Sequence, residues 1–322
     1  MFFNTLQIIT GNANVKLAES ITDYLQRPLA ETLVSRFPDG EINVKLNMDV
    51  RGSDVFIIQP TCPPVNDHLM ELLIIIDTLR RSSAGRITAV IPYYGYARKD
   101  RKDEGRVPIT AKLVANLITA AGTERVLTMD LHAQQIQGFF DIPVDHLYAF
   151  PVQLKYYRSL QLEDFVVVSP DVGGIKLARA YSKALHAPLA VVDKRRVSPD
   201  SAEVGFVIGE VEGLNVLLVD DLIATAGTLC EAARLLKSHG ARDIHVAATH
   251  PIFCGPAMER INEAPLTSIT VTDTVPLSEE VRQCPKIKVL TIANLLGEAI
   301  RRIHKDESVS SLFLETREFP AL

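Results

Sequence analysis

The chain has 322 residues, 47% of them apolar and 23% charged. That composition suits a folded protein of roughly two domains and excludes a long disordered chain. No uncharged apolar run nears the ~18 residues of a membrane span; the richest stretch, Leu69 to Leu79, carries Glu71 and Asp77. Lys plus Arg is 34 against 39 Asp plus Glu, a net charge of −5, so neither nucleic acid nor membrane is an expected partner. Two basic islands, RKDRKDEGR (98–106) and KRR (194–196), instead suggest either a small anionic ligand or a solvated face. The start, MFFNTLQIIT, has no basic leader and no cleavage pattern, so a cytoplasmic protein is expected. Cys62, Cys230, Cys254 and Cys284 form no CxxC pair and read as packing residues in a reducing compartment.

In chain order, strands are predicted at 7–10, 55–59, 87–91, 125–129, 166–169, 189–192, 215–219, 244–248 and 268–272. Many are apolar without alternation, as in strands covered on both faces of a parallel sheet. Helices are predicted between them. One covers 66–81, with Asn66 as its cap and Arg80 and Arg81 at its negative end; others cover 110–121, stopping at Gly122, and 227–239, stopping at Gly240. The alternation predicts an α/β protein of two doubly wound domains with mostly parallel sheets. The boundary falls near Phe150-Pro151, giving domains at 1–150 and 151–305. A tail at 306–322 would pack back on the first domain or on a neighbour.

Three predicted strands run into polar groups: VLTMDLH brings Asp130 and His132, VVVSPDVGG brings Asp171, and VLLVDD brings Asp220 and Asp221. Ligands of open parallel sheets bind beyond such strand ends, although a single Asp there is more often a turn former. The segment VLLVDDLIATAGTLCEA (216–232) is the most specific. Twin carboxylates can accept from vicinal hydroxyls. The turn Ala224, Thr225, Ala226, Gly227, Thr228 lets backbone N–H groups and a helix start approach an anion. Together they describe a sugar-phosphate pocket, and the segment resembles the phosphoribosyl-diphosphate loop of the phosphoribosyltransferase fold.

Further segments narrow the resemblance. RFPDGE (36–41), VRGSDVFIIQ (50–59), NDHLMELL (66–73), AVIPYYGYARKDRK (89–102), DLHAQQIQGFFDIPVD (130–145), SPDVGG (169–174), DKRR (193–196), THPIF (249–253) and GEAIRR (297–302) occur in one order from about residue 5 to about 314. Together they resemble the ribose-phosphate diphosphokinase family. No GxxxxGK[ST] signature is present, so any nucleotide site is built another way. The resemblance implies transfer of the diphosphoryl group of ATP to the anomeric hydroxyl of ribose 5-phosphate. It places ATP on Asp39, Gly40, Glu41, Arg98 and Lys99, with Lys99 standing where many relatives carry Gln. It places Mg²⁺ on His132 and Asp171. It makes Lys194 and Arg196 the catalytic cations of a mobile arm, read here as a loop. It places ribose 5-phosphate on Arg196, Asp220, Asp221 and residues 224–228, with Ala224 where relatives usually carry Asp. It further implies a homohexamer and a regulatory anion site around Arg51, Ser82, Ser308, Ser310 and Phe313. The alternatives are a non-catalytic regulatory relative of such a synthetase, and a phosphoribosyltransferase.

Overall fold

The computed structural model describes residues 5–196, 203–310 and 312, without the side chains at 194–196, 203 and 204. The chain forms two compact units. The first runs through Tyr148 and takes in Thr274–Pro276 and the segment from Thr291; the second runs Ala149–Asp273 with Leu277–Leu290.

The first unit contains β1 (Leu6–Thr10), α1 (Val15–Leu25), β2 (Thr32–Arg36), β3 (Ile42–Leu46), β4 (Asp54–Ile58), α2 (Val65–Arg81), β5 (Arg86–Ile91), α3 (Thr110–Ala121), β6 (Arg125–Met129), a 3₁₀ turn (Gln134–Phe139) and β7 (Val144–Leu147). Its sheet has the order β1-β4-β5-β6-β7, and every pair is parallel. All five residues of β4 are buried, which is why DVFII reads as one apolar run. Helix α2 turns Leu69, Leu72, Ile75, Ile76 and Leu79 onto the core, each contributing about 1.5–3 kcal/mol of apolar burial. Its N-cap is Pro64, not Asn66; Asn66 sits inside the first turn and accepts from the Tyr96 hydroxyl instead. Strands β2 and β3 stand apart as an antiparallel hairpin.

The second unit contains α4 (Phe150–Ser159), β8 (Phe165–Ser169), α5 (Ile175–Leu185), β9 (Leu189–Arg196), β10 (Glu203–Ile208), β11 (Asn215–Ile223), α6 (Gly227–Ser238), β12 (Ile244–Pro251), α7 (Ala257–Glu263), β13 (Ser268–Thr272), α8 (Glu279–Gln283) and β14 (Ile287–Leu290). The sheet order is β10-β9-β8-β11-β12-β13-β14. It is parallel except at the β10 edge. The expected loop carrying Lys194 and Arg196 is therefore corrected. Strand β9 outruns its pairing with β8, which ends at Ser169↔Val191. The outer half of β9 pairs with β10 instead, with Lys194 opposite Gly205 and Arg196 opposite Glu203.

The final helix α9 (Ala293–His304) belongs to the first unit, which corrects the expected span of 151–305. Two things hold it there. Its face Ala293, Leu296, Ile300 and Ile303 is buried. The carboxylate of Asp54, fully buried at the start of β4, accepts from Arg86 Nε at 2.8 Å and Nη2 at 2.6 Å, and lies 2.9 Å from His304 Nδ1. Arg86 Nη2 also donates to the Ile303 carbonyl at 3.0 Å. Elsewhere along α9, Tyr24 of α1 donates to Glu298 at 3.1 Å. Hydrogen bonds from Arg301, then Arg302, hold the Glu298 carboxyl down at about 2.

Candidate active site

Strand β11 pairs with β8 only to Leu218↔Val168 but with β12 through Ile223↔Pro251. Asp220 and Asp221 therefore lie inside the strand, on the stretch that projects past β8. The Asp221 N–H donates to Asp220 Oδ1 at 2.9 Å. Burial, then the negative charge of Asp221, push the Asp220 carboxyl well above the usual carboxylate range, and the charge of Asp171 adds to it. The ends of β8 and β11 thus bring three acids within electrostatic reach of one another, an arrangement that favours a ligand offering hydroxyl protons or positive charge.

The turn after β11 is anchored through its carbonyls. Ile223 O accepts from Ile252 N at 2.9 Å and Phe253 N at 3.0 Å, and Ala224 O accepts from Cys254 N at 3.0 Å. Thr225 O accepts from Arg260 Nη1 of α7 at 3.0 Å. Ala226, the N-cap of α6, sits in the left-handed region (φ 58°, ψ 9°) and provides no side-chain cap. An alanine there costs about 1–2 kcal/mol, and the helix N–H groups face outward without an acidic cap of their own. Such a helix start accepts phosphate.

Asp171 opens the loop between β8 and α5. Ser169 Oγ, fully buried, donates to the Asp171 carbonyl at 2.6 Å, and the Gly174 N–H donates to Asp171 Oδ1 at 3.0 Å. A side chain at Gly174 would place its Cβ 2.8 Å from Ser169 Oγ, so the loop closes only over glycine. The Asp171 carboxylate is exposed, and only its Oδ1 takes the Gly174 N–H.

In the first unit, Asp39, Gly40 and Glu41 form the exposed tip of the β2–β3 hairpin. The tip closes through Phe37 N to Glu41 O at 2.8 Å, Gly40 N to Phe37 O at 2.9 Å and Glu41 N to Asp39 Oδ1 at 3.2 Å. Arg36, the last residue of β2 before the tip, pairs with Asp67 at 3.0 Å. Arg98 and Lys99 follow β5 on an exposed turn. Lys99 pairs with Asp103 at 3.2 Å, so part of the first basic island is a local ion pair. Tyr96, just before these cations, donates to Asn66. Consecutive residues of α2, Asn66 and Asp67, therefore tether both expected nucleotide segments to one end of the helix. Exposed His132 follows β6. His146 of β7 holds its loop, Nε2 accepting from Leu131 N at 2.9 Å. His132 belongs to the first unit and Asp171 to the second.

Lys194 and Arg196 are placed by their backbone in β9. Phe313 lies outside the described residues. Arg51 bridges to Ala84, and Gly52 N donates to Ser83 O at 2.9 Å, which brings Arg51 beside the turn that holds Ser82. Ser308 and Ser310 follow α9, tied by Ser310 N to Ser308 Oγ at 3.2 Å and by Arg302 to the Ser308 carbonyl at 3.1 Å. Among the described residues, no group of three or more His, Cys, Asp or Glu side chains is set to hold a metal ion, and no helix is long and apolar enough to cross a membrane. His146 and Arg260 escaped the sequence reading, and the tethering roles of Asn66 and Asp67 were not visible in the segment 66–73 that carries them. Each acts through an ordinary polar side chain on a partner distant in the chain.

A parallel α/β unit whose twin acids lead into an uncapped helix start is a phosphoribosyl-type enzyme fold. Comparison with known proteins narrows the class. Residues 6–122 match the N-terminal domain of ribose phosphate pyrophosphokinase, and residues 202–314 match the phosphoribosyl synthetase-associated domain. A ribose-phosphate pyrophosphokinase of Rhodopirellula baltica is 58% identical over 313 residues, 96% of this chain and 99% of that one. One of Caldanaerobacter subterraneus subsp. tengcongensis is 56% identical over 97% and 99%. The crystal structure of phosphoribosylpyrophosphate synthetase from Mycobacterium smegmatis superposes with a TM-score of 0.90 at 41% identity, covering 94% of this chain and all of that one. The chain belongs to the ribose-phosphate pyrophosphokinase family.

Proposed function

We propose that this chain transfers the diphosphoryl group of ATP to the anomeric hydroxyl of ribose 5-phosphate, releasing AMP and 5-phosphoribosyl 1-diphosphate. The observation that carries the reading is the projecting end of β11, where Asp220 and Asp221 run directly into the left-handed turn at Ala226. Near full-length identity to ribose-phosphate pyrophosphokinases supports the reaction.

The N–H groups of residues 224–228 take the 5-phosphate, and Asp220 and Asp221 accept from the ring hydroxyls. This fixes the anomeric hydroxyl as the free nucleophile. Asp39, Gly40, Glu41, Arg98 and Lys99 hold the nucleotide: the acids accept from adenine or ribose donors and Arg98 takes a phosphate or stacks on the base. Lys194 and Arg196, on the β9–β10 arm, neutralise charge on the diphosphoryl group as it moves and exclude water. Mg²⁺ suits the exposed Asp171 carboxylate, because it is bound by one or two carboxylates and otherwise by water and phosphate oxygens; an imidazole nitrogen such as that of His132 is an unusual partner for it. Asp171 and His132 would hold it. When bound it neutralises charge on the polyphosphate. The reading extends to a cytoplasmic homohexamer with an anion site at Arg51, Ser82, Ser308, Ser310 and Phe313, supported by the sequence resemblance alone.

The test is incubation with ATP, Mg²⁺ and ribose 5-phosphate, with nucleotide products separated. AMP in equal amount to 5-phosphoribosyl 1-diphosphate is expected. ADP would mean monophosphoryl transfer and overturn the assignment.

A further inference from the structure

Arg260 is absent from every motif that led to the site, yet it touches the centre of the turn. Its Nη1 donates to Thr225 O at 3.0 Å. The same atom would lie 3.1 Å from a Cβ built on Gly227, so the guanidinium packs against the backbone at the first residue of α6. Among the described residues, no carboxylate lies within ion-pair distance of it, although the protein is acidic overall. A guanidinium has five N–H donors and is permanently charged; Thr225 takes one. Its field reaches the helix start: burial raises the Cys230 thiol, and the Arg234 and Arg260 charges oppose that rise.

We infer that Arg260 is a positioning residue for the sugar 5-phosphate: it locks the Thr225 carbonyl away from the site and leaves an uncompensated positive charge behind the helix start. The inference rests on the proposed use of residues 224–228 for the 5-phosphate. Locking Thr225 keeps the following N–H groups aimed outward, and the charge adds to the helix dipole in favouring a phosphate dianion. Arg260 touches the turn rather than the reacting atoms. Its loss weakens sugar-phosphate binding and leaves the transfer step and the nucleotide alone.

The experiment measures KM for ribose 5-phosphate and for ATP, with kcat, in wild type, Arg260→Met, Arg260→Gln and Arg260→Lys. Arg260→Met is expected to raise KM for ribose 5-phosphate about 10- to 100-fold, the loss expected for one hydrogen bond involving a charged group. KM for ATP and kcat are expected to stay within about threefold. Lys donates and is charged, so it recovers most of the loss; Gln donates without charge, so it recovers less. An unchanged KM for ribose 5-phosphate in Arg260→Met overturns the inference. So does an equal rise in both KM values, which marks a merely structural arginine. If Met lowers the melting temperature too far for assay, the Lys–Gln pair decides: equal KM values for the two remove the charge from the account. Thr228→Pro, which removes one of the turn's N–H donors in the first turn of α6 where a proline ring is tolerated, tests the underlying reading. If it raises KM for ribose 5-phosphate while Arg260→Met does not, only the Arg260 role falls. If Thr228→Pro also has no effect, the phosphate turn and the role resting on it fall together.

Discussion

Gly174→Ala sets a steric load against the loop that carries Asp171. The backbone poses no obstacle, since φ −80° and ψ −1° at this residue suit any side chain. The obstacle is Ser169 Oγ, 2.8 Å from the added Cβ, well inside van der Waals contact. Ser169 is fully buried and its hydroxyl is bonded to the Asp171 carbonyl at 2.6 Å, so it cannot swing aside without moving Asp171. Overpacking of this kind costs about 1–3 kcal/mol, which for a unit of this size is about 2–12 °C in melting temperature. Ser169→Ala alone loses one hydrogen bond, about 1 kcal/mol. The double variant removes the clash and so costs about 1 kcal/mol, not the sum, giving a coupling of about 1–3 kcal/mol. Calorimetry on the four proteins measures the cycle. The Mg²⁺ concentration for half-maximal turnover, expected to rise about tenfold or more in Gly174→Ala as Asp171 is displaced, reads the functional arm. Additive destabilisation would refute the steric reasoning; a lowered melting temperature with unaltered Mg²⁺ dependence would remove Asp171 from metal binding.

Asp220→Asn is expected to lower kcat/KM while raising stability. The folded-state carboxyl titrates above its unfolded value near 4, so native stability is fullest below pH ~4 and is lost as pH rises through the raised value. The variant should therefore exceed wild type by about 1 kcal/mol at neutral pH, with the gap closing in acid; parallel melting curves across pH 4–8 would contradict this. Arg86→Met leaves the Asp54 carboxylate without its guanidinium partner and is expected to cost about 3–5 kcal/mol, read by calorimetry as a lower transition of the first unit. Lys194→Ala should lose about 10²–10³ in kcat with an unchanged melting temperature, and near wild-type turnover would remove Lys194 from the transfer step.

The central strands were legible because burial on both faces leaves an apolar run. The predicted strands at 125–129 and 268–272 coincide with β6 and β13. Strands β2, β3, β7, β10 and β14 were not foreseen. INVKL and IKVL are only partly buried, and their pairing is set by partners elsewhere in the chain. Asn66 was misjudged as a cap because propensity alone cannot show that Pro64 already begins the turn. The twin acids and the small-residue turn were visible because one strand–turn–helix carries them all. Arg260 was not: 35 residues separate it from Thr225, and only the packing of α7 beside α6 makes them neighbours. The α9 assignment failed for the same reason, since a clamp between Asp54 and His304 spans 250 residues.

That clamp bears on how the protein is born. A ribosome releases β1 through β7 long before α9, so the nascent first unit carries Asp54 and Arg86 without the helix that seals them and with the α9-facing side of α1 bare. The second unit can fold as soon as β14 emerges; the first is finished only when α9 arrives. Cutting the polypeptide after Tyr148 would therefore yield a fragment lacking one wall, and coexpressing the two pieces would be needed to restore it.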